Sequence, residues 1–263
     1  MKQVYLIQEN NPKLLVFFAG WAADETPFKQ YRPQGMDYMI CYDYRTLDFD
    51  TSIFDRYRHV NVVAWSMGVW AAARVLQHVP ADKLLSIAFN GSMHPISDAE
   101  GIPPHTFRGT LLNLTPASLQ KFMRRMCKDS NAYKAFLEIT PRRDFDEIKK
   151  ELELIEKQFT KSQNITIDEE HNYIYSNDGP NEINYFEYNY VIIGRNDRIF
   201  PVRNLHLSHD YLDFDKMIIT DCAHYDEPTF RFLLQDIWSM PFDDFLSHMR
   251  EMNIKMDDPE NDL

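Results

Sequence analysis

Ser66 lies in Ala64-Trp65-Ser66-Met67-Gly68, with small residues two positions to either side. The run Val60-Asn61-Val62-Val63 precedes it and Val69-Trp70-Ala71-Ala72-Ala73-Arg74-Val75-Leu76 follows, so the serine falls on a strand-to-helix turn. Such a turn holds a serine in strained backbone with its hydroxyl exposed at the end of a strand, the nucleophile elbow whose usual form is G-x-S-x-G. Residues 64 and 68 approach the backbone too closely for large side chains, and here Ala64 replaces the first glycine. The helix that follows brings backbone N–H groups and its positive dipole end to any oxyanion formed beside the serine. A five-residue pattern recurs by chance; its setting between a strand and a helix is what makes it informative.

A serine needs a base and an orienting acid, expected downstream in the order Ser, acid, His. Asp197 follows the apolar run Tyr190-Val191-Ile192-Ile193 in Gly194-Arg195-Asn196-Asp197-Arg198-Ile199-Phe200-Pro201, and His224 follows Met217-Ile218-Ile219 in Thr220-Asp221-Cys222-Ala223-His224-Tyr225. Both sit just past strand ends, where open α/β sheets carry their functional loops. Asp221 is the rival acid, but it stands on the same loop as the histidine and is expected to cap a turn; Asp98 and Asp43 follow earlier strands. His59, His78, His94, His105, His171, His206, His209 and His248 read as surface or hydrogen-bonded polar residues. For the oxyanion, the Met67 N–H is one donor, and Gly20 lets the chain turn after Phe17-Phe18-Ala19 so that the Trp21 N–H can be the second. Gly20 and Trp21 also fit a plain strand end followed by a core aromatic.

These residues need a sheet to hold them. Apolar runs at 14–18, 38–42, 60–65, 84–89, 190–193 and 217–219 read as buried strands, with helical segments between several of them, which predicts a mostly parallel sheet covered on both faces. Gln3-Val4-Tyr5-Leu6-Ile7-Gln8 reads as an edge strand that turns back into the next strand as a hairpin. The stretch between the fourth and fifth of these runs reads mainly as helix, with starts at Thr115-Pro116 and Thr140-Pro141. It is too long for a loop and predicts a helical cap. The expected fold is therefore an α/β-hydrolase, with a core of residues 1–97 and 186–240 and a cap over 98–185. The polar segment 162–187 is expected at the surface, and the tail 241–263 is expected to be partly disordered.

The chain has 263 residues, of which 44% are hydrophobic, enough for one α/β domain. Its net charge of −12 argues against nucleic acid as a partner. No apolar run is long enough to cross a bilayer, and the segment after Met1 reads as a strand and not a signal peptide. Cys41, Cys127 and Cys222 are widely spaced without metal-ligand spacing, which predicts reduced thiols in a soluble cytoplasmic protein with no metal and no cofactor. Residues 101–150 oppose ten Lys and Arg to five Asp and Glu, leaving about −17 for the remainder.

Phe18-Ala19-Gly20-Trp21, Ala64-Trp65-Ser66-Met67-Gly68, Asn90-Gly91-Ser92 with Pro95-Ile96 and Gly101-Ile102-Pro103, Phe122-Met123-Arg124-Arg125-Met126-Cys127, and Asn196-Asp197-Arg198-Ile199-Phe200-Pro201 together resemble the BioG family. The resemblance runs from residue 1 to about 240; the chain differs from compact members by the polar segment near 162–187 and by its acidic tail. BioG proteins are pimeloyl-[acyl-carrier protein] methyl ester esterases of biotin synthesis. The resemblance implies that the carrier-bound pimeloyl methyl ester is demethylated, with Ser66, Asp197 and His224 as triad and Trp21 and Met67 as oxyanion donors.

Independently of the resemblance, Lys121, Arg124, Arg125 and Lys128 fall on neighbouring turns of one helix, and Arg142 and Arg143 open the next. They form either a docking face for an acidic acyl carrier protein or a solvated face with no partner. Trp21, Trp65, Phe122 and Met123 either line an acyl channel or belong to the core. A general carboxylesterase or thioesterase for small acyl groups, and a non-catalytic binding protein on the same fold, are the competing expectations.

Overall fold

The computed structural model describes residues 1–182, 186–213 and 216–241, together with Asp244, Ser247, His248 and Glu251. The expected disorder at 257–262 lies outside the described residues. Among the described residues nine strands run in the order β1 (Lys2–Ile7), β2 (Lys13–Phe18), β3 (Met36–Tyr42), β4 (His59–Trp65), β5 (Leu84–Phe89), β6 (Ile165–Ile167), β7 (Tyr173–Tyr175), β8 (Tyr190–Gly194) and β9 (Met217–Thr220). Seven of them form one sheet in the order β1-β3-β2-β4-β5-β8-β9, parallel except for β1. β2 shows why the central strands are apolar throughout: it lies between β3 and β4, and Leu14 to Phe18 are wholly buried.

Parallel register decides where the functional loops meet. Phe18 pairs with Ala64, Trp65 with Phe89, and Gly194 with Thr220, so the C-terminal ends of β2, β4, β5, β8 and β9 line one edge. The residues following them include Gly20, Ser66, Asn90, Asp197 and His224. β1 departs from the hairpin expectation. It pairs antiparallel with β3, Lys2 opposite Tyr42, because both edges of β2 are already taken by β3 and β4. The buried Asp37 carboxylate fixes the connection by accepting the backbone N–H groups of Glu9 at 2.9 Å and Asn11 at 3.1 Å.

The helices are α1 (Met67–Leu76), α2 (Pro104–Leu112), α3 (Pro116–Met126), α4 (Ser130–Glu138), α5 (Phe145–Ser162), α6 (Val202–Ser208) and α7 (Glu227–Leu234). α2 to α5 and the β6–β7 hairpin all fall between β5 and β8. Thr115 caps α3 in a reciprocal box with Ser118, and Pro116 takes the first helical position, as the sequence suggests. The second expected start is displaced: α5 begins at Phe145, not after Thr140-Pro141. Asp144 is the cap, accepting the N–H of Asp146 at 2.8 Å, while the Arg142 N–H is drawn away to Asp24 Oδ2 at 2.6 Å. Beneath the sheet edge, Phe17, Phe28, Trp65, Phe89 and Phe230 pack edge to face, with Phe28 and Phe230 centroids 5.2 Å apart.

Candidate active site

Ser66 is forced into place by its neighbours. Its φ of +58° lies in the left-handed region, which a non-glycine residue occupies only under constraint. A Cβ at Gly68 would stand 2.2 Å from the Phe18 carbonyl oxygen, so the start of α1 packs against the end of β2 at a distance only glycine permits. Ala64 is wholly buried between β2 and β5, where its methyl group is accommodated.

The side chains above this turn form a chain of hydrogen bonds. Ser66 Oγ is 3.0 Å from His224 Nε2, and His224 Nδ1 is 2.8 Å from Asp197 Oδ2. A carboxylate only accepts, so the Nδ1–H tautomer donates to Asp197 and leaves Nε2 free to take the hydroxyl proton. Asp197 is fixed through its other oxygen, which accepts the N–H groups of Ile199 at 2.7 Å and Phe200 at 3.1 Å. The imidazole is held between Phe200, stacked at 6.0 Å, and Trp65 at 5.2 Å. Asp221, the rival acid, turns outward and pairs with Arg195 at 2.6 Å. Cys222 lies near this loop, but burial pushes its thiol up to about 12, so it carries no thiolate at neutral pH.

Met67 opens α1, and Trp21 follows Gly20 in the loop after β2. A Cβ at Gly20 would be 3.1 Å from Ser66 Cβ, which places that loop directly against the serine. Among the described residues no acceptor takes the backbone N–H of Trp21 or Met67. Two free N–H groups beside a hydroxyl that can lose its proton to an imidazole suit chemistry that develops negative charge on a carbonyl oxygen.

The cleft above Ser66 has two arms that share Trp21, Trp65, Phe122 and Met126. One contains Ser66, Met67 and His224, and reaches Thr106, Thr110 and Arg125; the other is apolar and contains Phe28, Leu119, Met123 and Phe136. Trp65 also has a role that its sequence position does not disclose: its indole N–H donates to the His224 carbonyl at 2.8 Å. Asn90 is a site residue that its type and spacing in the sequence do not single out. Its φ is +46°, its Nδ2 donates to the Ala223 carbonyl at 2.8 Å and its Oδ1 accepts the Gly194 N–H at 2.7 Å, tying the histidine loop to the end of β8. Only its place after a buried strand, in Asn90-Gly91-Ser92, could have signalled it.

The basic residues separate into different environments. Lys121, Arg125, Lys128 and Arg142 are exposed. Arg125 lies over the Phe122 ring at the mouth of the cleft. Arg124 turns back to Ser130 Oγ at 2.9 Å and over the Tyr133 ring. Arg143 overturns the expectation of a docking residue. Its side chain is 4% exposed and bound to Glu151 at 2.6 Å, because the late start of α5 leaves it pointing under the cap.

A Ser-His-Asp constellation on the C-terminal edge of a mostly parallel sheet, beneath helices inserted between two of its strands, defines an α/β-hydrolase. A BioG crystal structure from Haemophilus influenzae superposes with a TM-score of 0.72 at 31% identity, covering 90% of this chain and all of that one. The 2-hydroxy-6-oxo-6-phenylhexa-2,4-dienoate hydrolase of Rhodococcus sp. strain RHA1 shares the fold alone, with a TM-score of 0.51 at 12% identity, covering 95% and 93% of the two chains. The chain belongs to the BioG family, whose model, described as pimeloyl-ACP methyl esterase BioG, matches residues 1–233. A malonyl-[acyl-carrier protein] O-methyltransferase from Bacteroides fragilis strain 638R is 45% identical over 213 residues; the match covers 81% of this chain and 39% of that protein's length. No helix among the described residues is long and apolar enough to cross a membrane.

Proposed function

We propose that the protein is a serine carboxylesterase that hydrolyses the methyl ester of pimeloyl-[acyl-carrier protein] in biotin synthesis. The observation that carries this reading is the hydrogen-bonded order Ser66, His224, Asp197 at the foot of a largely apolar cleft; membership of the BioG family supplies the substrate. Ser66 Oγ attacks the ester carbonyl as its proton passes to His224 Nε2, and the N–H groups of Trp21 and Met67 take the oxyanion. Collapse of the tetrahedral intermediate breaks the bond to the methoxy oxygen, which leaves as methanol with the proton from His224. Water then attacks the acyl-enzyme, again giving a proton to His224, and the second collapse frees the carboxylic acid and returns the proton to Ser66. Asp197 holds the imidazole and stabilises its charged form.

The substrate has two carbonyls that a nucleophile could attack, the methyl ester and the thioester to the carrier. Entry of the chain ester end first, past Phe122 and Trp21, leaves the thioester toward the mouth. Arg125, Lys121, Lys128 and Arg142, with Arg124 behind them, face the acidic carrier there. The methyltransferase named for the Bacteroides fragilis relative performs the opposite change, adding a methyl group to a carrier-bound acid. Hydrolysis is assigned to this chain because nucleophile, base and acid all stand within it.

The test is methanol release from pimeloyl-carrier methyl ester by the wild-type protein and by Ser66→Ala. The wild type should turn over, and Ser66→Ala should lose at least about three orders of magnitude in kcat. Retention of wild-type turnover by Ser66→Ala would overturn the serine mechanism. Equal kcat/KM for the carrier-bound and the free methyl ester would favour a general carboxylesterase.

A further inference from the structure

A glutamate is wholly buried where the cap meets the sheet. Glu151 of α5 has no exposed surface, and its partner Arg143 is nearly as deep. Burying an ion pair seldom stabilises a fold more than apolar side chains of the same size would, so what the pair touches matters. Burial pushes the Glu151 carboxyl up, opposed by Arg143 and by the Tyr44 N–H. Its Oε2 accepts Arg143 Nη1 at 2.6 Å and the Ala22 N–H at 3.3 Å, and its Oε1 accepts the Tyr44 N–H at 2.8 Å. Arg143 Nη2 lies 3.2 Å from Asp43 Oδ1, a contact without hydrogen-bond geometry, so the guanidinium is shared between two carboxylates.

Ala22 stands one residue after the proposed oxyanion donor Trp21. It is the third residue of a turn closed by the Ala23 N–H on the Gly20 carbonyl at 3.2 Å, and its φ is +66°. A positive φ at that position alone marks a type II turn, which favours glycine there; alanine adopts it against its steric preference. The competing type I turn suits alanine and is reached by turning over the peptide plane between Trp21 and Ala22. That would point the Trp21 carbonyl, in place of the Ala22 N–H, at the buried carboxylate. Two oxygens would then face each other with no proton between them. The Trp21 indole is separately tied to α5 by its bond to the Ile148 carbonyl at 2.9 Å.

We propose that Glu151, held by Arg143, is a positioning residue that ties the Gly20–Ala23 turn to α5 through the Ala22 N–H and so keeps the adjoining Trp21 N–H beside the oxyanion formed on Ser66. The inference rests on Ser66 being the nucleophile. Glu151 touches neither substrate nor reacting atoms, and acts through the backbone of the turn.

Glu151→Gln and Glu151→Asp are compared with wild type for kcat and KM on pimeloyl-carrier methyl ester, for affinity toward an alkyl boronic acid, and for thermal midpoint. Glu151→Asp keeps the charge for Arg143 while withdrawing it from Ala22, so a test remains if the amide variant fails to fold. We expect kcat to fall about tenfold to a hundredfold with KM within about twofold, and boronate affinity to fall in parallel, because only the tetrahedral adduct uses the Trp21 N–H. Wild-type kcat in a folded variant, or loss of kcat with boronate affinity intact, would each overturn the positioning role. If Ser66→Ala turns over normally, the serine mechanism falls and this role with it. If Ser66→Ala is inactive while both Glu151 variants match wild type, only the positioning role falls.

Discussion

At the scale of single residues, the site rests on side chains that never reach the cleft. Asn90 is the clearest case: one amide bridges the end of β8 and the loop that carries His224. Its replacement by alanine leaves a buried N–H and a buried carbonyl unpaired, at about 1–3 kcal/mol for each group. Asn90→Ala should therefore lower the unfolding free energy by about 2–6 kcal/mol and reduce kcat more than KM, as urea titration and steady-state kinetics would reveal; unchanged stability would show that water replaces the amide at no loss. Ser66, Asp197 and His224 were all nameable from sequence because their types are restricted by chemistry and their places follow strand ends. Asn90 and Glu151 were not, because an asparagine or a glutamate acquires its role only from what a distant segment places beside it. Trp65 shows the mixture: its position beside the serine was legible, and its bond to the His224 carbonyl was not.

At the scale of elements, the elbow, the following helix and the sheet were legible because an apolar strand and an alanine-rich helix advertise themselves by composition. The start of α5 was not, since Thr140-Pro141 offers the same local signal as Thr115-Pro116, but the Thr140 hydroxyl donates back to the Phe136 and Leu137 carbonyls and the Arg142 N–H goes to the distant Asp24, leaving Asp144 as the cap. The end of α6 makes a testable link between an element and the elbow. His209, its C-cap, is wholly buried and lies 2.9 Å through Nε2 from the carbonyl of Gly91, a residue pressed against the Ser66 backbone. Burial lowers its pKa from 6.5 to about 4, against the pull of the Gly91 carbonyl and of Glu100. The unfolded chain therefore takes up a proton below pH 6.5 that the folded chain refuses until about pH 4. The stability held by the neutral ring is complete above the unfolded value and is lost as pH falls through that window, by about 1.4 kcal/mol per pH unit. Thermal midpoints measured from pH 7 to pH 4.5 should fall more steeply for wild type than for His209→Gln; equal slopes would show that other groups govern acid stability.

At the scale of the whole molecule, charge is distributed unevenly: a net −12 overall contains a segment at 101–150 with an excess of positive groups. Exposed members of that excess, among them Lys121, Arg125, Lys128 and Arg142, lie on the cap, so an acidic carrier would meet attraction there and repulsion elsewhere. Added salt should accordingly lower kcat/KM on a carrier-bound ester while leaving a free methyl ester nearly unaffected, and Lys128→Glu should lower only the former, by about tenfold. Parallel responses of the two substrates, measured across ionic strengths, would remove the docking face. Sequence alone marked the apolar strands of the main sheet, the three side chains proposed as nucleophile, acid and base, and the family, because strand composition, strand ends and reactive side-chain types are local properties. Tertiary structure alone decided that β1 joins β3, that Arg143 is buried and not a docking residue, that Asp221 faces away from His224, and that α5 braces the turn beside Ser66. The reason is common to all four: each depends on which of several chemically acceptable partners lies within about 3 Å, and that is set by how segments far apart in sequence pack together.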